Sequence, residues 1–176
     1  MTRSISRLAK WLEWFSILAI ALVFGLIGYL IWALLWFPGG AALVFPGTPI
    51  AEDISRFSLS LVALSAVIVP LVLIWTLNKM RRLFVLYRQG HVLTEQSADL
   101  IGRIGFGFLL VAFLPIVLFP IQSVLLSWEA PAGQRSFSVQ LDQQTLIFAL
   151  AGGFVTLLGW AMKDATRIAE EHKSIV

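Results

Sequence analysis

Four long apolar stretches dominate the pattern of hydrophobic and polar positions along the chain. They cover about residues 15–37, 57–77, 104–126 and 143–161, and charged or Pro/Gly-rich segments separate them. At about 1.5 Å of rise per residue, the first stretch reaches roughly 34 Å as a helix, enough to cross a hydrocarbon core of about 30 Å. Length and polarity therefore predict an all-α fold, in which residues 1–176 form one integral membrane domain, a four-helix bundle.

The basic residues predict the orientation of these spans, because short loops rich in Lys and Arg stay in the cytoplasm. Eleven of them precede the first span, lie between the second and third, or follow the fourth: Arg3, Arg7, Lys10, Lys79, Arg81, Arg82, Arg88, Arg103, Lys163, Arg167 and Lys173. The other two connections hold only Arg56 and Arg135. This distribution predicts that both termini are cytoplasmic.

The tryptophans agree with this orientation, since the amphipathic indole ring prefers the headgroup level. Six fall at predicted span ends, inner for Trp11, Trp14, Trp75 and Trp160 and outer for Trp36 and Trp128. A soluble protein with four apolar core helices would leave this double agreement unexplained. The predicted inner segments are then the loop 78–103 and the tail 162–176, and the outer loops are 38–56 and 127–142.

The two outer loops carry different signals. In the first, Pro38 with the two glycines after it, and the run Phe-Pro-Gly-Thr-Pro at 45–49, predict a loop with turns. In the second, the alternation over 136–141 favours either a short strand or an extended segment.

The inner segments are predicted to be helical extensions of the spans. Residues 78–89 keep helical spacing, so span two should project into the cytoplasm as far as a C-cap at Gly90. Thr94 followed by Glu95 predicts the start of the helix that feeds span three. The tail 163–173 mixes both charge signs and predicts a cytoplasmic helix that continues span four.

One basic cluster follows span two and is the candidate contact for a partner or for anionic lipid: Lys79, Arg81, Arg82 and Arg88. Each basic residue near an anionic surface contributes about 1 kcal/mol to attraction. The same charges also enforce topology, which is the simpler explanation for them. The cytoplasmic extensions either pack together, with arginines of this cluster near Glu170 and Glu171, or remain separate solvated faces.

Small residues form a stripe along span four that suits close helix packing. The candidate contact residues are Gly152, Gly153, Thr156 and Gly159. Matching faces are available at Gly25 and Gly28 of span one and in the glycines that open span three, either within the chain or in a second copy as a homo-oligomer. Inside spans two and three, Pro70, Pro115 and Pro120 predict bends.

Composition and residue types then narrow the chemistry. Hydrophobic residues make up 59% of the chain and charged residues 13%, against roughly half and a quarter in soluble domains. The absence of Cys excludes disulfides, thiolate nucleophiles and Cys-based metal sites. Because the predicted spans hold no Asp, Glu, Lys, Arg or His, a pump or proton-coupled transporter acting alone is disfavoured, and the His ligands of most haem sites are missing. No cofactor is expected.

The polar residues at the inner surface predict no catalytic motif. His91 and His172 lie far apart without short ligand spacing, so we expect exposed histidines and no metal site. The sequence contains no nucleophile elbow, phosphate loop or zinc-protease motif. Nucleic acid is not expected as a partner, because the basic residues lie against the bilayer and belong to no recognition motif.

The inner loop also resembles a known family. Residues 81–84 (Arg-Arg-Leu-Phe) lead to Gly90, then to 93–95 (Leu-Thr-Glu) and to 100–105 (Leu-Ile-Gly-Arg-Ile-Gly). This pattern resembles the bacterial membrane family catalogued as domain of unknown function 2975, and the tail 165–171 is similar to the ending of that family. The resemblance extends over nearly the whole chain. It implies a four-helix fold in the bacterial inner membrane, and it implies no activity.

These observations favour a non-enzymatic membrane protein that acts as an accessory, sensory or partner-binding subunit through its cytoplasmic face, in contact with membrane lipids. The first alternative is a transporter or binder of lipid or of a small hydrophobic molecule, which would use the proline-bearing spans. The second is a membrane enzyme with a site at the inner surface around His91, Glu95 and Glu170.

Overall fold

The computed structural model is entirely helical in its regular elements. It describes residues 3–48, 50–51, 54–131, 137–139 and 141–173, with side chains described between Leu8 and Ala169 of those ranges. Its helices are α1 (Arg3–Trp36), α2 (Gly40–Val44), α3 (Arg56–Ala66), α4 (Ile68–Arg88), α5 (Glu95–Ser127) and α6 (Gln143–Lys173). No strand occurs among the described residues.

Four helical segments are long and apolar enough to cross a membrane. They are Leu8–Trp36, Arg56–Arg88, Glu95–Ser127 and Gln143–Ala169, and apart from Phe37 they contain the predicted spans. Large apolar side chains cover their outer surfaces; Leu22 on α1 and Leu150 on α6 are 66% and 67% exposed. Contiguous exposed apolar surface on this scale needs lipid around it. The chain is therefore a multi-pass membrane protein.

The second membrane segment consists of two helices and not the single predicted one. Helix α3 ends at Ala66 and α4 begins at Ile68, with Val67 between them. Pro70 explains the break, because it has no N–H to donate to the carbonyl of Ala66 and its ring crowds that carbonyl. Since Val67 keeps helical dihedral angles (φ −77°, ψ −19°), the chain direction is not reversed. By contrast, Pro115 and Pro120 lie inside α5 without dividing it.

The first predicted outer loop contains a short helix where the sequence predicted only turns. Gly39 (φ +80°) ends the turn after α1, and α2 follows as a single helical turn and a little more. The local sequence does not predict α2, because tertiary contacts stabilise it. Ala41 and Phe45 are buried against Val62 and Leu126, which are distant in the sequence. In the second loop, 137–139 have no regular structure, while the rest of 132–140 lies outside the described residues.

The spanning helices are arranged as an open row. Helix α1 contacts α3 and α4, these contact α5, and α5 contacts α6. Among the described residues, no pair of Cα atoms within 8 Å joins α1 to α5 or α6, or α4 to α6. The predicted four-helix bundle is thus open on one side, with α1 and α6 as its edges.

Helices α5 and α6 make the most extensive helix contact through small residues. A side chain at Gly105 of α5 would collide with Thr156, and a Cβ at Gly152 would lie 2.9 Å from the carbonyl oxygen of Gly105. Gly159, two turns beyond Gly152 on α6, is equally tight against α5. Gly153 does not belong to this contact, because a Cβ there meets no heavy atom within 4 Å. One residue along a helix turns a side chain by about 100°, away from the face of Gly152.

The glycines of α1, which were the other candidate for close packing against α6, make no close helix contact in this chain. A Cβ at Gly25 or Gly28 of α1 would meet nothing within 4 Å. The tight contact is therefore made by α5 and α6 within one chain.

Candidate functional site

Charged side chains gather at one end of the helices, which we call the basic end. It is the end where α1 begins, α4 ends, α5 begins and α6 ends, and each of these four helices continues there beyond its predicted apolar span. The side chains that define a site at this end come from α4 and α5.

The end of α4 is fixed by a Schellman motif. Gly90 has φ +93°, a backbone conformation that favours glycine. Its N–H donates to the carbonyl of Tyr87 at 3.2 Å, and the N–H of His91 donates to the carbonyl of Leu86 at 3.0 Å. The C-cap predicted at Gly90 is therefore present.

The start of α5 is fixed by side-chain hydrogen bonds. The Thr94 hydroxyl accepts from the N–H of Ser97 at 3.2 Å, as the sequence predicted for an N-cap. Ser97 is fully buried, and its hydroxyl donates to the carbonyl of His91 at 2.7 Å. Beneath the connection, Leu83, Leu100 and Ile104 form a buried cluster. These hydrogen bonds and the buried cluster fix the turn between α4 and α5, so the two helices are held antiparallel.

A cleft of about 510 Å³ opens between these two helices at the basic end. Lys79, Arg81 and Arg82 of α4 and Arg103 of α5 line it, together with one acidic residue, Asp99. The Arg103 Nε donates to the Asp99 carboxylate at 2.8 Å, so this carboxylate is already engaged. The lining thus carries four positive charges against one negative charge.

The three cations that α4 contributes to the cleft differ in their surroundings. The Lys79 Nζ lies 5.2 Å from the ring centre of Trp75, a cation–π contact. Arg81 and Arg82 are exposed. Neither has a hydrogen-bond or ion-pair partner among the side chains that the structure describes. Both guanidinium groups are among the donors that line the cleft.

Arg88, the fourth member of the predicted basic cluster, does not line the cleft. Its Nη1 lies 3.1 Å from the Glu13 carboxylate of α1. Among the described side chains the partner of Arg88 is therefore Glu13; Glu170 and Glu171, the partners that packed cytoplasmic extensions would offer, have side chains outside the described ones. Sequence reasoning missed Glu13, although a carboxylate so close to an apolar span needs a cation nearby.

A second ion pair links α5 and α6 at the basic end. The Lys163 Nζ lies 3.6 Å from the Glu95 carboxylate, and both side chains are about half exposed or more. His91 is also exposed. Within the described residues, no group of three His, Cys, Asp or Glu side chains is close enough to hold a metal ion. His172 lies outside the described side chains.

At the opposite end, a mostly apolar groove of about 560 Å³ lies between α3 and α5. Its walls include Phe57, Leu61 and Ile121. Its polar edge is formed by Glu129, whose carboxylate accepts from the N–H of Ser55 at 2.5 Å and from the Ser58 hydroxyl at 3.5 Å. Because these bonds lie at the start of α3, the carboxylate also faces the positive end of that helix dipole.

A buried polar pair lies deeper between the same two helices. The Gln122 side-chain amide donates to the Ser65 hydroxyl at 3.0 Å, and Gln122 is 6% exposed. Gln122 was not among the polar residues that the sequence singled out inside the spans. A Gln in an apolar helix is itself a signal, since its amide needs a partner in lipid.

Comparison of the chain with family models, with curated proteins and with solved structures finds no match. The resemblance to domain of unknown function 2975 therefore stays a prediction.

The chemistry of the basic cleft is that of anion binding. Its lining offers guanidinium and ammonium donors together with the amides of Asn78 and Gln96. Guanidinium groups bind the oxygens of phosphates and carboxylates through paired N–H donors. Its one carboxylate, Asp99, is paired with Arg103.

Proposed function

We propose that the chain is a non-enzymatic, multi-pass protein of the bacterial inner membrane that acts as an accessory, sensory or partner-binding subunit through its basic end. In this proposal both termini and the basic end are cytoplasmic. The supporting argument is the distribution of Lys and Arg, eleven on one side against two on the other.

One observation carries the partner-binding role. Four helices extend past their apolar spans at the same end, and ion pairs between Arg88 and Glu13 and between Lys163 and Glu95 join neighbouring helices there. A preorganised polar surface is what a cytoplasmic partner, or a second copy of the chain, needs in order to bind without a large ordering cost. Crossing the membrane alone does not require these helices to continue past their apolar spans.

Site-specific crosslinking in cells tests the role. A photoreactive amino acid replaces Asp164, which is exposed at the basic end of α6, and in the matched control it replaces Leu141, which is exposed just before the other end of α6. We expect an adduct of near-stoichiometric yield with one protein, which includes a second copy of the chain, from position 164 and not from position 141. Failure to recover such an adduct from position 164 would contradict the proposal.

The groove at the opposite end favours a second candidate function, binding of a small hydrophobic molecule or lipid. Leu61 lines this groove on α3, whereas Leu64, one turn away, is 71% exposed outside it. Leu61→Trp should fill the groove and abolish saturable binding of a fluorescent fatty-acid analogue to the purified chain. Leu64→Trp is the matched control and should bind as the unsubstituted chain does; equal binding by both variants would remove this candidate.

No observation favours the enzyme hypothesis strongly enough to propose it. His91 and Glu95 are exposed, and Glu95 is paired with Lys163, so neither has the desolvated surroundings in which catalytic groups act. The side chain of Glu170 lies outside the described residues.

A further inference from the structure

A second cavity lies directly below the basic cleft, between the same two helices. It has a volume of about 340 Å³ and is almost entirely apolar. Its lining comes from Leu71, Val72 and Trp75 of α4 and from Phe106 and Leu110 of α5, with Ile68 at its far end. The side chains of Leu71 and Phe106 are about half exposed, as expected for a wall that faces lipid.

The two cavities follow continuous stripes along both helices. On α4 the lining residues of the apolar cavity lead through Trp75 to Lys79 and Arg82, each step three or four residues long. On α5 the same spacing leads from Leu110 through Phe106 to Arg103. Residues three or four apart lie on one face of a helix, so the basic cleft and the apolar cavity are two parts of one groove.

The groove changes from basic to apolar at the level of Trp75. Tryptophan marks the boundary between headgroups and hydrocarbon. Arg81 and Arg82 lie roughly 9–10 Å beyond it along α4, in or at the edge of the headgroup layer, while Ile68 lies roughly 10 Å on the other side, within one leaflet of about 15 Å. The cation–π contact between Lys79 and Trp75 joins the two parts.

We propose that this groove binds one anionic phospholipid, with its phosphate in the basic cleft and an acyl chain against Trp75 and Phe106. The phosphate fits the exposed guanidinium groups of Arg81 and Arg82 that line the cleft, whose planar forks suit phosphate oxygens. The chain fits the apolar walls by dispersion contacts. A soluble phosphate compound would use the cleft and leave the apolar half empty, which is why the lipid is the occupant. The inference goes beyond the proposed function and does not depend on a protein partner.

Lipid binding to the purified full-length chain in detergent tests the inference, with native mass spectrometry as the measurement. The probes are phosphatidylglycerol, phosphatidylcholine and inorganic phosphate. We expect one phosphatidylglycerol molecule to bind preferentially. Loss of two phosphate-binding arginines in the double variant Arg81→Gln/Arg82→Gln should weaken this binding about thirtyfold. Phe106→Ala, which removes only dispersion contacts, should weaken it roughly threefold.

Two matched controls separate the groove from general properties of the surface. Lys10→Gln removes a positive charge from α1 at the same end of the molecule but outside the cleft, and Phe154→Ala removes an exposed aromatic ring from α6, which lines neither cavity. Both should retain phosphatidylglycerol binding. The proposal is overturned if Lys10→Gln weakens binding as much as the double variant, if phosphatidylcholine binds equally well, or if inorganic phosphate competes fully and Phe106→Ala has no effect.

Discussion

Glu13 shows how a single side chain sets the position of α1. Its carboxylate is 15% exposed, while its partner Arg88 is 44% exposed. A carboxylate this buried would be costly without a cation, and the arginine reaches it from the end of α4. The pair therefore ties the start of the first membrane helix to the middle of the row.

A double-mutant cycle measures how much the ion pair between Glu13 and Arg88 contributes to the free energy of unfolding. We expect Glu13→Gln and Arg88→Gln each to lower the free energy of unfolding, with a coupling energy of about 1 kcal/mol because the pair is only partly shielded from solvent. Unfolding of the purified chain in detergent, followed by circular dichroism, gives the four values needed. The control is the exposed pair of Asp99 and Arg103 on α5, for which we expect about 0.3 kcal/mol. Equal coupling in both cycles would show that burial of Glu13 has no energetic consequence.

A second residue-scale effect concerns Asp142 at the start of α6. Its carboxylate accepts from both the N–H and the hydroxyl of Thr145 at 2.8 Å. The backbone N–H contributes most, the hydroxyl next, and together they hold the pKa of Asp142 below its ordinary value of 3.8. A lowered pKa in the folded state means that the ionised carboxylate stabilises the helix start.

The sign of the pH dependence follows from that shift. The stabilisation is fully present above the unfolded pKa near 3.8 and is lost as the pH falls through the lower folded value. We expect the amide of Thr145 to be protected from hydrogen exchange at pH 5 and to lose protection below pH 3.8, after correction for the intrinsic exchange rate. Asp142→Asn should flatten this profile. An unchanged profile in that variant would assign the effect to another group.

At the scale of the element, glycine contributes to helix packing at the α5–α6 edge of the row but not on α1 at the opposite edge. Between α5 and α6 it permits backbones to approach, since a side chain at Gly105 would collide with Thr156. On α1, Gly28 has open space around it. In membranes, helices associate through such close van der Waals packing because lipid provides no hydrophobic drive between them.

Alanine substitution separates the two cases. Gly105→Ala should destabilise the chain by about 2 kcal/mol, because the added methyl group forces α5 and α6 apart. Gly28→Ala should be neutral or slightly stabilising, since alanine is the better helix former and meets no neighbour. Thermal unfolding in the same detergent compares the two. Similar losses in both variants would mean that the α5–α6 contact is not as tight as described.

Much of the element structure follows from the sequence, and the exceptions share a physical cause. The spans, the cap at Gly90 and the helix start at Thr94 were predicted because their signals are local: apolar length, a positive-φ glycine and a capping hydroxyl. Helix α2 was missed because burial of Ala41 and Phe45 by distant residues stabilises it. Gly153 lies outside the α5–α6 contact, because neighbouring positions on a helix point about 100° apart and composition alone does not identify the face that each presents.

The candidate site divides in the same way. The sequence predicted the basic cluster but not which of its members line the cleft. Arg88 pairs with Glu13 outside the cleft, and Arg103 of α5 contributes a further positive charge to it. The positions of these arginines depend on which helices are neighbours, and the sequence of the inner loop does not contain that information. The apolar cavity below the cleft was also out of reach, since it exists only where α4 and α5 lie side by side.

At the scale of the whole molecule, the open row leaves both edge helices exposed to lipid. Helix α1 contacts α2, α3 and α4, and in the part of the chain that the structure describes α6 contacts only α5. The order of the row follows the order of the chain, and consecutive membrane segments are antiparallel neighbours. All charged extensions therefore fall at one end, and the orientation of that end decides which compartment a partner must occupy.

Reporter fusions test this orientation for the entire row. A cytoplasmic fluorescent reporter fused after Gly90 or after the C-terminus should be active, and a phosphatase that works only outside the cytoplasm should be active when fused after Ala130. The expectation follows from the positive-inside bias at every crossing. Each site carries both reporters in separate fusions, so that a silent fusion is distinguished from a poorly expressed one. Opposite locations for Gly90 and the C-terminus would contradict an even number of crossings between them, and with it the placement of both α5 and α6 across the membrane.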